Sequence, residues 1–217
     1  MSTYCIGDIH GCYRTFQALL NQIGPTSEDK IILLGDYIDR GPDSSLVLKA
    51  VKNNPQFCCL KGNHEDLMHC YLERYSNGVA SIWMENGGEK TINSFQKEKD
   101  ACLADFYDFL RRLPLMVAHS DFYFAHAGVN INNPMEEDNE INLWDRACPI
   151  PRAGVNGKKV IVGHTPKSIA QIEFSIQYSG KIFLDGGCVF SSWPELGNLV
   201  ALRLEDMQLF IQKNIEK

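Results

Sequence analysis

The chain has 217 residues, 44% hydrophobic and 22% charged, which is ordinary globular composition with material for one good-sized core. Its net charge of −6 and its lack of any Lys/Arg cluster argue against a nucleic-acid binder, and no apolar run reaches the ~20 residues of a membrane span. The eight cysteines include no C-x-x-C pair and no leader precedes the first strand-like segment, so reduced thiols, a cytoplasmic location and a single domain over residues 1–217 are expected.

The periodicity predicts a strand over residues 3–7. A helix follows, with Phe16, Leu19, Leu20 and Ile23 at helical spacing until Gly24-Pro25 stops it. Residues 30–35 (KIILLG) read as a buried strand, a short helix starts near Asp43, and Pro55 precedes a third strand over 57–61. This alternation predicts an α/β fold with parallel pairing. Residues 64–112 read as mostly helical, with Asp100 capping a helix that ends before Pro114. Strands follow at 115–118 and 122–125. Residues 130–143, with Glu136, Glu137, Asp138 and Glu140, read as an exposed acidic loop. Further strands are expected at 160–162, 172–175, 182–184, 199–204 and 209–212, the last two as a hairpin.

Five apolar runs end in tight polar clusters: Gly7-Asp8-Ile9-His10-Gly11, the segment from Gly35-Asp36 through Asp39-Arg40-Gly41, Gly62-Asn63-His64-Glu65, His126-Ala127-Gly128 and Gly163-His164-Thr165. Ligands of α/β sheets gather at the carboxyl ends of strands, so five such loops can build one site. Imidazoles, carboxylates and an amide oxygen suit a pair of divalent cations such as manganese, iron or zinc. Two aspartates offset only half the charge of two dications, which leaves the site attractive to an anionic substrate. Two metals roughly 3.5–4 Å apart can activate a bridging water and clamp a phosphoryl group.

GDIHG, GDYIDRG, GNHE, HAG and GHT, in this order over residues 7–165, resemble the signature blocks of the phosphoprotein phosphatase family of calcineurin-like metallophosphoesterases. WMENGG at 83–88 and LDGGCVF at 184–190 look like its bacterial and phage branch. The resemblance implies two packed mixed β-sheets flanked by helices. It implies that Asp8, His10 and Asp36 hold one metal, and that Asp36, Asn63, His126 and His164 hold the other, with manganese expected for activity. His64 would be the general acid, oriented by Asp39, while Arg40 and Arg146 would grip the phosphate oxygens. The implied reaction is hydrolysis of phosphoserine and phosphothreonine in protein substrates, and of phosphotyrosine as a hypothesis, by a hydroxide bridging the metals. A monomer with no nucleic-acid or membrane partner is expected.

Lys61 stands where the family usually has arginine. Arg14 is expected to be exposed, His69 an ordinary helix residue, His119 a turn residue, and Asp185 either a simple turn or a residue that supports the site from behind. Two rivals remain. Symmetrical dinucleoside tetraphosphate hydrolases share the metal ligands and the GDIHGC opening but typically carry alanine at the position of Asp39. A phosphopeptide-binding module without catalysis would lose ligands or the acid, and all of them are present here.

Overall fold

A computed structural model describes residues 1–73, 77–98, 100–147 and 149–216, which leaves Cys148 outside. In the first sheet β1 (Thr3–Ile6), β2 (Lys30–Leu33) and β3 (Phe57–Cys59) pair in parallel. On its other side β1 takes β8 (Asn198–Arg203) antiparallel, and β9 (Gln208–Lys213) closes the edge, giving the order β3-β2-β1-β8-β9. The second sheet runs β4 (Met116–His119), β5 (Phe122–Ala125), β6 (Lys159–Val162) and β7 (Lys181–Phe183), parallel except for the β4–β5 hairpin. These are the two mixed sheets the sequence implied.

Alternation along the strands sets the packing. Cys5, Ile32 and Val200 of the first sheet meet Phe124, Ile161 and Ile182 of the second in one buried cluster. Tyr4 and Ile6 face the other way, onto Phe16 and Leu19 of α1 (Tyr13–Ile23) and Val47 and Leu48 of α2 (Ser44–Lys52). Gly24, in left-handed conformation, ends α1 as expected.

The middle is helical, with α3 (Asn63–Leu72), α4 (Asn77–Trp83), a π-helical turn at Met84–Gly88 and α5 (Glu89–Lys97). Among the described residues Asp100 caps no helix. The next start is Cys102, whose backbone N–H is taken by Asp105, leading a 3-10 turn into α6 (Tyr107–Arg112). The acidic segment is not all loop: Asp138 caps α7 (Asn139–Trp144), whose Asn142 and Leu143 are buried. The strand expected at 172–175 is instead the middle of α8 (Ile169–Tyr178). Ser168 and Gln171 form a capping box there, and β6 and β7 are parallel, so the chain between them must cross over. The apolar/polar alternation of residues 172–175 invited the misreading.

Among the described residues no helix is long and apolar enough to cross a membrane, and the cysteines within them are free thiols.

Candidate metal centre

The loops after β1, β2, β3, β5, β6 and β7 meet at one end of the sandwich. Asp8, His10, Asp36, Asn63, His126 and His164, which the sequence grouped by type, converge there and are buried. The crowding of loops demands small residues. A Cβ on Gly163 would stand 2.0 Å from Asp8 Oδ1, and one on Gly62 would stand 2.2 Å from Asp36 Oδ1. Five of the seven non-glycine residues with left-handed backbone, among those described, are His10, Asp36, Asp39, Arg40 and His164. Backbone strain of this kind collects at functional sites.

The donors are arranged for cations. His126 donates Nδ1–H to the Leu34 carbonyl at 2.9 Å, so its Nε2 carries a bare lone pair. That atom faces Asn63 Oδ1 at 2.9 Å, His164 Nδ1 at 3.1 Å and Asp36 Oδ2 at 3.4 Å. One shared proton leaves most of these four atoms unsatisfied, whereas a dication satisfies them all. His10 is set the same way: Nδ1–H donates to the Ile38 carbonyl at 2.9 Å, and Nε2 lies 3.6 Å from Asp36 Oδ2. The Arg40 guanidinium donates to that Nε2 at 2.7 Å. Asp8 Oδ2 accepts the His164 backbone N–H at 2.9 Å, while Asp8 Oδ1 is buried without a partner. An orphaned carboxylate oxygen beside bare imidazole nitrogens fits metal ligation, and Asp36 lies in both ligand clusters.

Protonation follows burial and charge. Burial holds His10, His126 and His164 below the usual imidazole range, His164 at about 3. Burial pushes the Asp36 carboxyl up, but His126, His64, His10 and His164 outweigh it and hold the group down. Asp8 is pushed well up by burial, then by the charges of Asp185 and Asp36.

His64 and Asp39 form a second layer. Asp39 Oδ2 accepts from His64 Nδ1 at 2.6 Å and from the Trp83 indole at 2.9 Å, and Asp39 Oδ1 accepts the Thr91 hydroxyl at 2.5 Å. His64 Nε2 points back toward Asp36, 3.8 Å from Oδ2. The π-helical turn places Trp83 and Thr91 on either side of Asp39, and Arg40 packs against Gly87 within it. Arg40 and Arg146 line a cleft of 380 Å³ above the ligands, walled by Trp144, Phe190 and the exposed Trp193. The Arg40 guanidinium sits 5.6 Å over the Phe190 ring.

Two features, Glu65 and Asp185, carry more weight than the sequence reading gave them. The Glu65 carboxylate accepts the backbone N–H groups of Asp36, Tyr37 and Gly62 at 2.7, 2.9 and 3.0 Å, pinning two ligand loops together. Of the two readings of Asp185 the supporting one fits better: it is buried against Asp8, and burial followed by the Asp36 charge raises its carboxyl to about 7. Its place at the end of an apolar run before Gly186-Gly187, the pattern of the five clusters, is the signal that offered this role. Lys61 turns away from the cleft, its ammonium 3.6 Å from Asp66.

Residues 1–198 match the calcineurin-like phosphoesterase family. The chain belongs to that family. A symmetrical bis(5'-nucleosyl)-tetraphosphatase of Proteus mirabilis is 35% identical over 133 residues, 59% of this chain and 45% of that protein. This phosphoesterase chain therefore spans less than half the length of that relative. Serine/threonine-protein phosphatase 1 of Salmonella typhimurium is 27% identical over 206 residues, 90% of this chain and 91% of that one. A metallophosphoesterase structure from Sphaerobacter thermophilus superposes with a TM-score of 0.60 at 18% identity, covering 100% of this chain and 90% of its own, and shares the fold. Its clusters of His and Asp side chains suit divalent metals.

Proposed function

We propose that the chain is a manganese-dependent protein phosphatase acting on phosphoserine and phosphothreonine. The observation that supports this most is the Asp39–His64 contact of 2.6 Å, buttressed by Trp83 and Thr91. Asp8, His10 and Asp36 would hold one cation, and Asp36, Asn63, His126 and His164 the other. Cations bound there supply Lewis acidity toward the phosphoryl group and its attacking water. With Nδ1 engaged by Asp39, His64 holds a proton at Nε2 for the leaving alkoxide. A serine alkoxide is a poor leaving group, so that proton matters most for alkyl phosphates. Arg40 and Arg146 bind the phosphoryl oxygens, a task suited to guanidinium forks. A full-length likeness to the Salmonella phosphatase supports the same reading.

A second reading is hydrolysis of dinucleoside tetraphosphates. It is favoured by the likeness to the Proteus enzyme and by Trp144 and Trp193, whose rings offer a nucleobase surfaces to stack on. Phosphate release from a phosphoserine peptide and product formation from diadenosine tetraphosphate, each with chelated and manganese-reloaded protein, decide between them. Manganese-dependent turnover of the peptide alone is the expected result. Turnover of the dinucleotide alone would replace the substrate class.

A further inference from the structure

Beyond the cleft, α3 carries a second set of metal donors. Asp66, His69, Cys70 and Glu73 follow one another at spacings of three, one and three, which places the first three on one face of α3 and Glu73, its C-cap, at the end of that face. The donor atoms of Asp66, His69 and Cys70 lie within 4.8 Å of one another. His69 Nε2 is buried with no hydrogen-bond partner and stands 3.6 Å from Glu73 Oε1. Tyr107 supports the group from α6: its ring stacks on His69 at 5.1 Å, and its hydroxyl donates to Glu73 Oε1 at 2.7 Å.

We propose that this face of α3 is a separate site for one zinc-class divalent cation, held by Asp66, His69, Cys70 and Glu73. A thiolate, an imidazole and two carboxylates are a borderline-soft set, which selects zinc over manganese or magnesium. Charge is balanced as well. Two carboxylates and a thiolate against one dication leave a single negative charge, and Lys61, 3.6 Å from Asp66, neutralises it. Bonds of ~2.0–2.3 Å hold tetrahedral donors roughly 3.5 Å apart, so closing the site needs side-chain shifts on the order of one ångström. The Cys70 thiol releases its proton to solvent on binding, so affinity rises with pH. Burial, then Asp66 and Glu73, hold that proton on the free thiol. Burial keeps His69 neutral.

The test uses the manganese-loaded protein titrated with cobalt(II), a spectroscopic stand-in for zinc. The catalytic ligands are all nitrogen and oxygen, so a sulfur-to-cobalt charge-transfer band reports this site alone. One equivalent should produce the band, and Cys70→Ser should abolish it with phosphoesterase turnover retained. No band, or a band that survives Cys70→Ser, overturns the proposal. A second measurement needs no variant: zinc should slow alkylation of Cys70 at least tenfold while exposed Cys102 reacts at its original rate. Equal protection of both, or of neither, overturns it too.

Discussion

Asp39 Oδ2 lies 2.6 Å from His64 Nδ1, and the same oxygen receives the Trp83 indole N–H from 44 residues further along the chain. This fixes which imidazole nitrogen is engaged and which is left for a substrate. We expect Asp39→Asn to lower turnover of a phosphoserine peptide by roughly 10²-fold, the lower end of a general-acid effect. Turnover of p-nitrophenyl phosphate, whose leaving group needs no proton, should fall far less, and metal content should not change. Equal losses on both substrates would remove His64 from the role of acid.

Glu65 acts on the backbone rather than on substrate. Replacing it with glutamine sets an amide N–H against N–H donors, and leaving a buried donor unsatisfied costs about 1–3 kcal/mol. For a chain of this size each kcal/mol shifts Tm by about 2–4 °C. The expected outcome is a lower Tm in chelator and weaker metal retention on dialysis, because two ligand loops lose their shared anchor. A variant with native Tm and full metal occupancy contradicts that role.

Arg146 lines the cleft beside Arg40, and its positive charge contributes to holding the His164 imidazole down. If it grips the phosphoryl group, Arg146→Ala removes a charge-assisted bond worth about 1.5–3 kcal/mol, or roughly 10–100-fold in binding. That loss should appear in the inhibition constant of inorganic phosphate as well as in KM. Unchanged phosphate inhibition would place the guanidinium outside the substrate's reach.

Acid sensitivity has one contribution far from the cleft. Asp29 accepts the Ser2 backbone N–H at 2.5 Å and the Thr26 N–H and hydroxyl at 2.8 and 2.9 Å, and these bonds, led by Ser2, hold its carboxyl below the usual range. A depressed folded-state pKa contributes stability above the unfolded value of about 4 and loses it as pH falls through the folded value. The Tm of the wild type should therefore exceed that of Asp29→Asn above pH ~4, and the gap should close below it. A gap independent of pH would show that the carboxylate's charge is irrelevant there.

Much of the candidate site was legible because each candidate ligand ends an apolar run, so its place at a strand end could be read locally. What escaped depended on distance. Nothing near Asp39 in the sequence announces Trp83 or Thr91, since the π-helical turn that delivers them has no periodic signature. Asp185 reads equally as a turn or as a supporting residue until its neighbour Asp8 is known. In α8 the apolar residues Ile169, Ile172 and Ile176 fit a helix, but the apolar/polar alternation of Ile172-Glu173-Phe174-Ser175 fits a strand as well. The ligand positions needed only local grammar, whereas the supporting contacts needed the fold.

The pairing of β1 with β8 joins Tyr4 to Arg203 and Ile6 to Ala201. A nascent chain grows from its N-terminus at about 5–20 residues per second, so the first strand waits on the order of 10–40 s for its antiparallel neighbour. Asp8 waits nearly as long for the loop bearing His164. During synthesis the early half exposes an open strand edge and an unfinished apolar face. His164 is the last of the six candidate ligands to be synthesised, so the early half alone never holds the complete set.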